Sequence, residues 1–123
     1  MPALLFLLFV AWLVWPQPTY QNMQTTKTGR KTALNPAMFT GVVREAYSVA
    51  QQNPVLLENL KCYCGCDNPS HVPYHRNLYE CFTDTHGANC QVCVSEALEA
   101  NSLYQQGMSP GEVRRMIDQR FGR

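Results

Sequence analysis

The residues of this chain that carry recognisable chemistry are its six cysteines, which fall into three groups. Three of them alternate with other residues in "KCYCGCDN", one follows alone, and a C-x-x-C pair comes last: Cys62, Cys64, Cys66, Cys81, Cys90 and Cys93. Thiolates bind soft metal ions such as Cu(I) and Zn(II), and pairs of thiols form disulfides or exchange electrons. The pattern is therefore compatible with a metal site, a disulfide framework or a redox dithiol.

The three thiols of the triplet Cys62, Cys64 and Cys66 are too close in sequence to form unstrained disulfides easily with one another. In extended backbone, side chains two residues apart lie on one face at about 7 Å, and Gly65 allows a bend that shortens this distance. A disulfide across one intervening residue does not easily reach the preferred Cα separation and dihedral angle. Each thiol of the triplet therefore requires a partner elsewhere in the chain or a shared ion.

Cys90 and Cys93 are predicted to lie at the start of a helix. Residues three apart project from one helix face, and the N-terminal end of a helix lowers thiol pKa, which favours the thiolate. The pair can chelate one ion, or each thiol can reach into the preceding loop. A thioredoxin-like redox site is disfavoured because no βαβ pattern surrounds the pair, and Val94 stands where covalent haem attachment requires histidine.

The three histidines are the next candidate ligands. His86 is four residues before Cys90, and we expect it to help complete a metal shell. His71 and His75 are separated by Pro73, so they do not form a helical chelate. Each of these two is predicted to be a solvated loop residue.

Local thiol density favours metal over disulfides, although small exported domains with an even cysteine count are commonly stapled. Three thiols within five residues are more than a scaffold needs, and the histidines and Met108 are donors that copper recruits. Copper is the favoured ion and zinc the alternative, and a mixed state with one disulfide plus a four-ligand site stays open. The predicted metal ligands are Cys62, Cys64, Cys66, Cys81, His86, Cys90 and Cys93.

Charge and composition exclude other classes of function. The chain has 123 residues and a net charge of +1, from ten Lys and Arg against nine Asp and Glu. Such a chain has no long-range attraction to nucleic acid, so nucleic-acid binding is not expected. No acid, base and nucleophile are spaced for hydrolysis or group transfer, which disfavours an enzyme.

Residues 1–15 are predicted to be a signal peptide or an uncleaved membrane anchor. Their apolar run from Ala3 to Trp15 is shorter than the roughly 20 residues of an ordinary spanning helix. No Lys or Arg precedes the run and no small-x-small pair follows it, so cleavage stays open. We expect an exported, periplasmic or extracytoplasmic protein, with this segment as its contact with the cytoplasmic membrane. Residues 16–34, rich in Thr, Gln and Pro, are predicted to be a flexible linker.

Residues 35–123 are predicted to form a small, mainly α domain around a cysteine-rich loop, in addition to the N-terminal hydrophobic helix. Apolar residues recur at helical spacing, and caps or prolines mark the helix ends. The loop is expected over residues 61–89, where periodicity disappears. The predicted helices run from Pro36 to about Gln52, from Pro54 through "VLLENL", from Cys90 to Gly107, and from the capping box "SPGE" at residues 109–112 onward.

The segments "AYSVAQQNPVLLENLKCYCGCDN", "CFTDTHGANCQVCVSEAL" and "YQQGMSPGEVRRMID" resemble the bacterial PCYCGC-motif proteins. The resemblance runs from Ala46 to Phe121 and includes all six cysteines. Lys61 replaces the proline of the family name, and "NPSHVPYHRNLYECF" is longer than the family's usual Gly-His segment. The resemblance implies export or lipid anchoring and does not decide the chemistry, because the family's function is unknown.

Two alternatives to a metal site remain. The first is a disulfide-stapled interaction module, such as an accessory subunit of a membrane complex anchored through residues 1–15. The second is a thiol–disulfide redox protein, suggested by a fainter similarity of "GMSPGEVRRMIDQRFG" to CcmH-type proteins of cytochrome c maturation.

Overall fold

The described part of the chain, residues 31–122 of a computed structural model, contains four α-helices and no strand. Three 3₁₀ turns lie between or before the helices: Pro36–Met38, Tyr79–Phe82 and Gly87–Asn89. The mainly α prediction is confirmed, whereas the predicted N-terminal hydrophobic helix lies outside the described residues. The α-helices are α1 (Gly41–Gln52), α2 (Pro54–Glu58), α3 (Gln91–Gln105) and α4 (Pro110–Phe121).

The helix predicted to run from Pro36 to Gln52 is two elements, so the prediction of one continuous helix is wrong. The 3₁₀ turn ends at Met38, and α1 begins at Gly41, whose φ is +59°. That left-handed conformation is accessible to glycine without strain and interrupts the helix. The break turns Phe39 onto the ring of Tyr47, with the centroids 4.0 Å apart. Phe39 faces the core in either arrangement, which explains why the apolar periodicity did not reveal the break.

The residues predicted to end α3 and to begin α4 have the expected conformations and hydrogen bonds. Ser109 and Glu112 form both hydrogen bonds of a capping box at the start of α4. Gly107 follows α3 with φ +95°, as expected for a glycine that ends a helix. Pro54 opens α2 as predicted, but Asn53 makes no capping bond, and its side chain donates instead to an asparagine of α3.

A buried aromatic pair fixes the cysteine-rich loop to the helices. Helix α1 packs on α3, which also packs on α4. Tyr47 of α1 meets Phe82 of the loop edge to face, with ring centroids 5.0 Å apart and both side chains fully buried. The Tyr47 hydroxyl donates to the Asp84 carbonyl at 2.6 Å and accepts from the Ala88 N–H at 3.1 Å. The loop is therefore held by contacts that involve no sulfur atom.

The residues just before Asn35 also contact the helical domain. Ala33 is buried, and the Leu34 N–H donates to the Phe82 carbonyl at 2.9 Å. The Ala33 N–H donates to the Tyr79 hydroxyl, which donates in turn to the Lys31 carbonyl. Within residues 31–122, the helices are too short or too polar to cross a membrane.

Candidate metal centre

The cysteine triplet lies in a series of tight turns after α2. Gly65 has φ +90°, a conformation that favours glycine and turns the chain between Cys64 and Cys66. The Sγ atoms of Cys62 and Cys64 are 3.2 Å apart. The turns therefore bring these thiols far closer than the about 7 Å expected for extended backbone.

The remaining cysteines meet the triplet from two other segments. Cys93, in the first turn of α3, lies 3.1 Å from Cys62 and 3.8 Å from Cys64, measured between Sγ atoms. Cys81, in the 3₁₀ turn Tyr79–Phe82, lies 3.4 Å from Cys66. Three segments distant in sequence thus bring their thiols to one place.

Cys90 is the N-cap of α3, at the helix start predicted from the sequence. Its sulfur accepts a hydrogen bond from the Cys93 N–H at 3.5 Å. Cys90 and Cys64 are half-buried, whereas the other four thiols are buried. The centre therefore has one side that is open to solvent.

None of the six cysteines is bonded to another. The closest Sγ atoms, in Cys62 and Cys93, are 3.1 Å apart, well beyond the disulfide bond length of about 2.05 Å. The structure thus describes a cluster of six free thiols.

His86 lies beside the thiols, where the sequence placed it. Its Nε2 atom is 3.5 Å from the Cys64 sulfur. Burial lowers the pKa of His86, which favours the neutral imidazole that binds metal. The histidine chosen from sequence is therefore in position to serve as a ligand.

His75 was predicted to be a solvated loop residue, and this prediction is wrong. The side chain is buried, and its Nε2 lies 2.8 Å from Asp84 Oδ2. The backbone explains the burial, because the His75 N–H donates to the Cys66 carbonyl at 2.9 Å and returns the chain to the triplet. Among the described residues, His75 Nδ1 has no hydrogen-bond partner. A carboxylate on one ring nitrogen that leaves the other free is the usual arrangement of a metal-binding histidine.

His71 stays close to its predicted role. It is partly exposed, and its Nδ1 is 2.8 Å from the carbonyl of Pro73 in its own loop. Its ring centroid is 5.8 Å from that of His86, but His71 belongs to none of the donor groups described below.

Eight side chains form four overlapping donor groups, in each of which the ligand atoms lie within 4.8 Å of one another. Two groups have four donors and two have three thiols. The groups are Cys64, His86, Cys90 and Cys93; Cys66, His75, Cys81 and His86; Cys62, Cys64 and Cys66; and Cys62, Cys81 and Cys93.

The donor set fits a soft metal ion. A tetrahedral zinc site with Zn–S bonds of about 2.3 Å has sulfur atoms about 3.8 Å apart, close to the thiol separations found here. Thiolate and imidazole are the ligands that Cu(I) and Zn(II) prefer. Seven of the eight donors are the residues predicted from sequence, and His75 is the addition.

Residues 32–123 match a family model described as a protein of unknown function with a PCYCGC motif. The chain belongs to this family. The match confirms the resemblance found in the sequence and spans the cysteine-rich domain. Comparison with curated proteins and with solved structures gave no match.

The lysine that replaces the motif proline lies at the outer side of the triplet. Lys61 is exposed, with its Nζ 3.5 Å from Asp67 Oδ2 and 5.5 Å from the centroid of the Tyr63 ring. Its charge is therefore turned toward groups beside the thiols of the triplet.

Hydrogen bonding and burial give the thiols of the centre different pKa values. Hydrogen bonds from Cys81 and Cys93 lower the pKa of the Cys62 thiol well below its usual range, and hydrogen bonds with Cys62 and Cys81 raise the pKa of the Cys93 thiol. Burial raises the pKa of Cys64 and Cys66. Cys62 is thus the favoured first thiolate, and further ionisation of this buried cluster requires a compensating cation.

Glu96 is a buried acid that the sequence analysis did not select. It is fully buried in α3, and its Oε1 accepts the Tyr63 N–H at 2.7 Å, inside the triplet. Burial raises the pKa of Glu96 to about 8. A signal was present in the sequence, because Glu96 is three residues after Cys93 and shares the inward helix face with it. Glu96 holds the backbone between the first two thiols of the triplet.

Asp84 and Met108 have contacts that their sequence positions did not reveal. Asp84 accepts the backbone N–H of His86 at 2.8 Å, a bond typical of a turn, and its other carboxylate oxygen contacts the His75 ring. Met108 was suggested as a soft donor for copper, and in the structure it lies beside α4, where it lines a pocket with Glu112. The four donor groups described above consist of thiols and imidazoles.

Proposed function

We propose that this protein binds soft metal ions through its thiolate cluster, with Cu(I) favoured over Zn(II). The observation that carries the proposal is the convergence of six unbonded thiols with a buried histidine whose Nδ1 has no hydrogen-bond partner in the described region. Once these thiols ionise, their buried negative charge would be costly without a cation. The family description names no function, so the proposal depends on this geometry.

The thiol arrangement supports the preference for Cu(I). Two donor groups consist of three thiols each and share Cys62. Cu(I) is stable with two or three thiolate ligands, whereas structural zinc takes four ligands. Zinc remains compatible with the two four-donor groups that include histidine.

The role we propose is to hold and hand over ions rather than to catalyse a reaction. Cys64 and Cys90 are half-buried on the open side of the centre, while Cys62, Cys66 and Cys81 are buried. An ion can therefore enter and leave past two thiols that reach solvent. A metal carrier or a membrane protein that exchanges metal is the partner that this chemistry would serve.

We also propose that the protein acts outside the cytoplasm, where the apolar run from Ala3 to Trp15 would direct or anchor it. Fractionation of cells that express the full chain, with a variant lacking residues 1–15 as the control, tests this proposal. Recovery of the full chain in the cytoplasm would contradict it.

The decisive measurement is metal content together with a free-thiol count, made on full-length protein isolated under argon from its native compartment. We expect stoichiometric copper and six thiols that react after the metal is removed and the protein is unfolded. Reduced protein that binds neither Cu(I) nor Zn(II) would refute the proposal. The His71→Asn variant should bind the same amount of copper as the unmodified protein, because this neighbouring histidine lies outside the donor groups.

A disulfide-stapled module is the second candidate. The pairs Cys62 with Cys93 and Cys66 with Cys81 are 3.1 and 3.4 Å apart, so a small movement would bring each to bonding distance. Disulfides at these two positions and no metal in the isolated protein would favour this candidate over the first.

A further inference from the structure

The donors at this centre are more numerous than one ion can use. The outer group is Cys64, His86, Cys90 and Cys93, and the inner group is Cys66, His75, Cys81 and His86. The two groups share only His86. A structural zinc ion takes four ligands, and Cu(I) takes fewer. One ion therefore leaves at least half of the eight donors without metal.

Cys62 lies between the outer and inner groups. It forms one three-thiol group with Cys64 and Cys66, and another with Cys81 and Cys93. In each case, one of its two companions belongs to the outer group and the other to the inner group. A thiolate sulfur has enough lone pairs to bond two ions at once. The fully buried Cys62 is therefore placed as a bridge.

We infer that the centre holds at least two metal ions, one in the outer group and one in the inner group, with the Cys62 thiolate bridging them. This inference rests on the proposed function and specifies its stoichiometry. Charge supports it, because six closely spaced thiolates repel one another and a second cation offsets more of that repulsion. His86, the donor that the outer and inner groups share, is available as a further ligand to either ion.

The two ions have different access to solvent. Three of the four outer residues are half-buried, whereas three of the four inner residues are buried. The inner group also contains His75, which Asp84 orients. The outer ion is therefore the exchangeable one, and a competing chelator removes it first.

The test is an anaerobic titration of the reduced full-length protein with the Cu(I)–acetonitrile complex, followed by native mass spectrometry. We expect saturation at two or more ions per chain and stepwise loss to a chelator. Cys90→Ser should weaken binding of the outer ion, and His75→Asn should weaken binding of the inner ion. His71→Asn should change neither. Circular dichroism checks that each variant keeps its helices, and Cys90→Ser alters a half-buried position that is least expected to unfold the domain.

X-ray absorption spectroscopy of the saturated protein tests the bridge. We expect metal–metal scattering that Cys62→Ser abolishes. Saturation at one ion would overturn the inference and leave the proposed function intact, whereas failure to bind Cu(I) or Zn(II) would overturn the proposed function itself. Two bound ions with metal–metal scattering that survives in Cys62→Ser would overturn the bridging role.

Discussion

Asp84 Oδ2 lies 2.8 Å from His75 Nε2, so the buried imidazole presents its other nitrogen, Nδ1, as the atom left for a ligand. A carboxylate in this position fixes the ring orientation and tautomer, and it makes the free nitrogen a better donor. Asp84 also accepts the backbone N–H of His86, the second histidine of the centre. One carboxylate therefore contacts the ring of His75 and the backbone of His86.

Asp84→Asn should lower the affinity of the inner site about 10- to 100-fold, the usual effect of losing such a partner. The asparagine side chain can still accept the His86 N–H but no longer offers a charged acceptor to His75. Competition with a chromophoric Cu(I) chelator measures the change. Asp67→Asn is the control, since Asp67 faces Lys61 beside the triplet. Equal affinity for the two variants would refute an orienting role for Asp84.

Glu96→Gln should make stability less dependent on pH in the metal-free, reduced protein. Because burial raises the pKa of the folded-state carboxyl to about 8, folded Glu96 keeps its proton at pH values where the unfolded chain has lost it. The folded state then binds more protons than the unfolded state, so stability falls as pH rises from about 4.3 to about 8. Glutamine carries no such proton, and the variant should gain stability relative to wild type by a few kcal/mol (~2–4) across that range.

Urea unfolding at pH 5.5 and pH 8.5 measures the Glu96 effect. Glu99→Gln on the same helix is the control, because the Glu99 carboxylate pairs with Arg120 at the surface. A stability difference between wild type and Glu96→Gln that is the same at both pH values would contradict the prediction.

Gly87→Ala should destabilise the domain by about 1–3 kcal/mol through overpacking. A Cβ at position 87 would lie 2.8 Å from the Cys81 carbonyl oxygen and 2.8 Å from the Phe82 ring. Gly111→Ala is the matched control, since a Cβ there meets no atom within 4 Å and alanine favours helix by up to about 1 kcal/mol. Thermal or urea unfolding compares the two, and equal stabilities would show that the contact at Gly87 relaxes freely.

Thiol alkylation of the metal-free protein should follow exposure. Cys90 and Cys64 are half-buried, and burial raises the pKa of Cys64, so Cys90 should react first and Cys64 next. Bound Cu(I) should protect both. Brief treatment with iodoacetamide, followed by peptide mass spectrometry, gives the order. First modification at the buried Cys81 would show that the domain opens more readily than its packing indicates.

Local rules were enough to predict the helix ends. The Ser109 and Glu112 capping box and the glycine after α3 depend on residues within one turn, and both form as expected. The break before Gly41 was missed because the apolar periodicity of Phe39 continues across it. Sequence patterns reveal which residues face the core more readily than they reveal where a helix is interrupted.

The residues of the centre that could be predicted from sequence are those whose side-chain chemistry alone indicates metal binding. Cysteine chemistry singled out all six thiols, but the burial of His75 depends on its backbone bond to Cys66 and on Asp84, which local spacing does not encode. Glu96 was different, because a carboxylate three residues after Cys93 on an apolar helix face was visible and went unused. Tertiary contacts determine the burial of His75, whereas the position of Glu96 follows from its helical spacing from Cys93.

The Tyr47 hydroxyl, through its bonds to the loop backbone, has a consequence for how fast metal can be taken up. Together with the Phe82 contact it holds the loop without any sulfur atom, so under the proposed function the position of the loop would not depend on a bound ion. Classical zinc fingers, in contrast, are unfolded without their metal. Under the proposed function, we expect this domain to keep its loop in place after an ion is released.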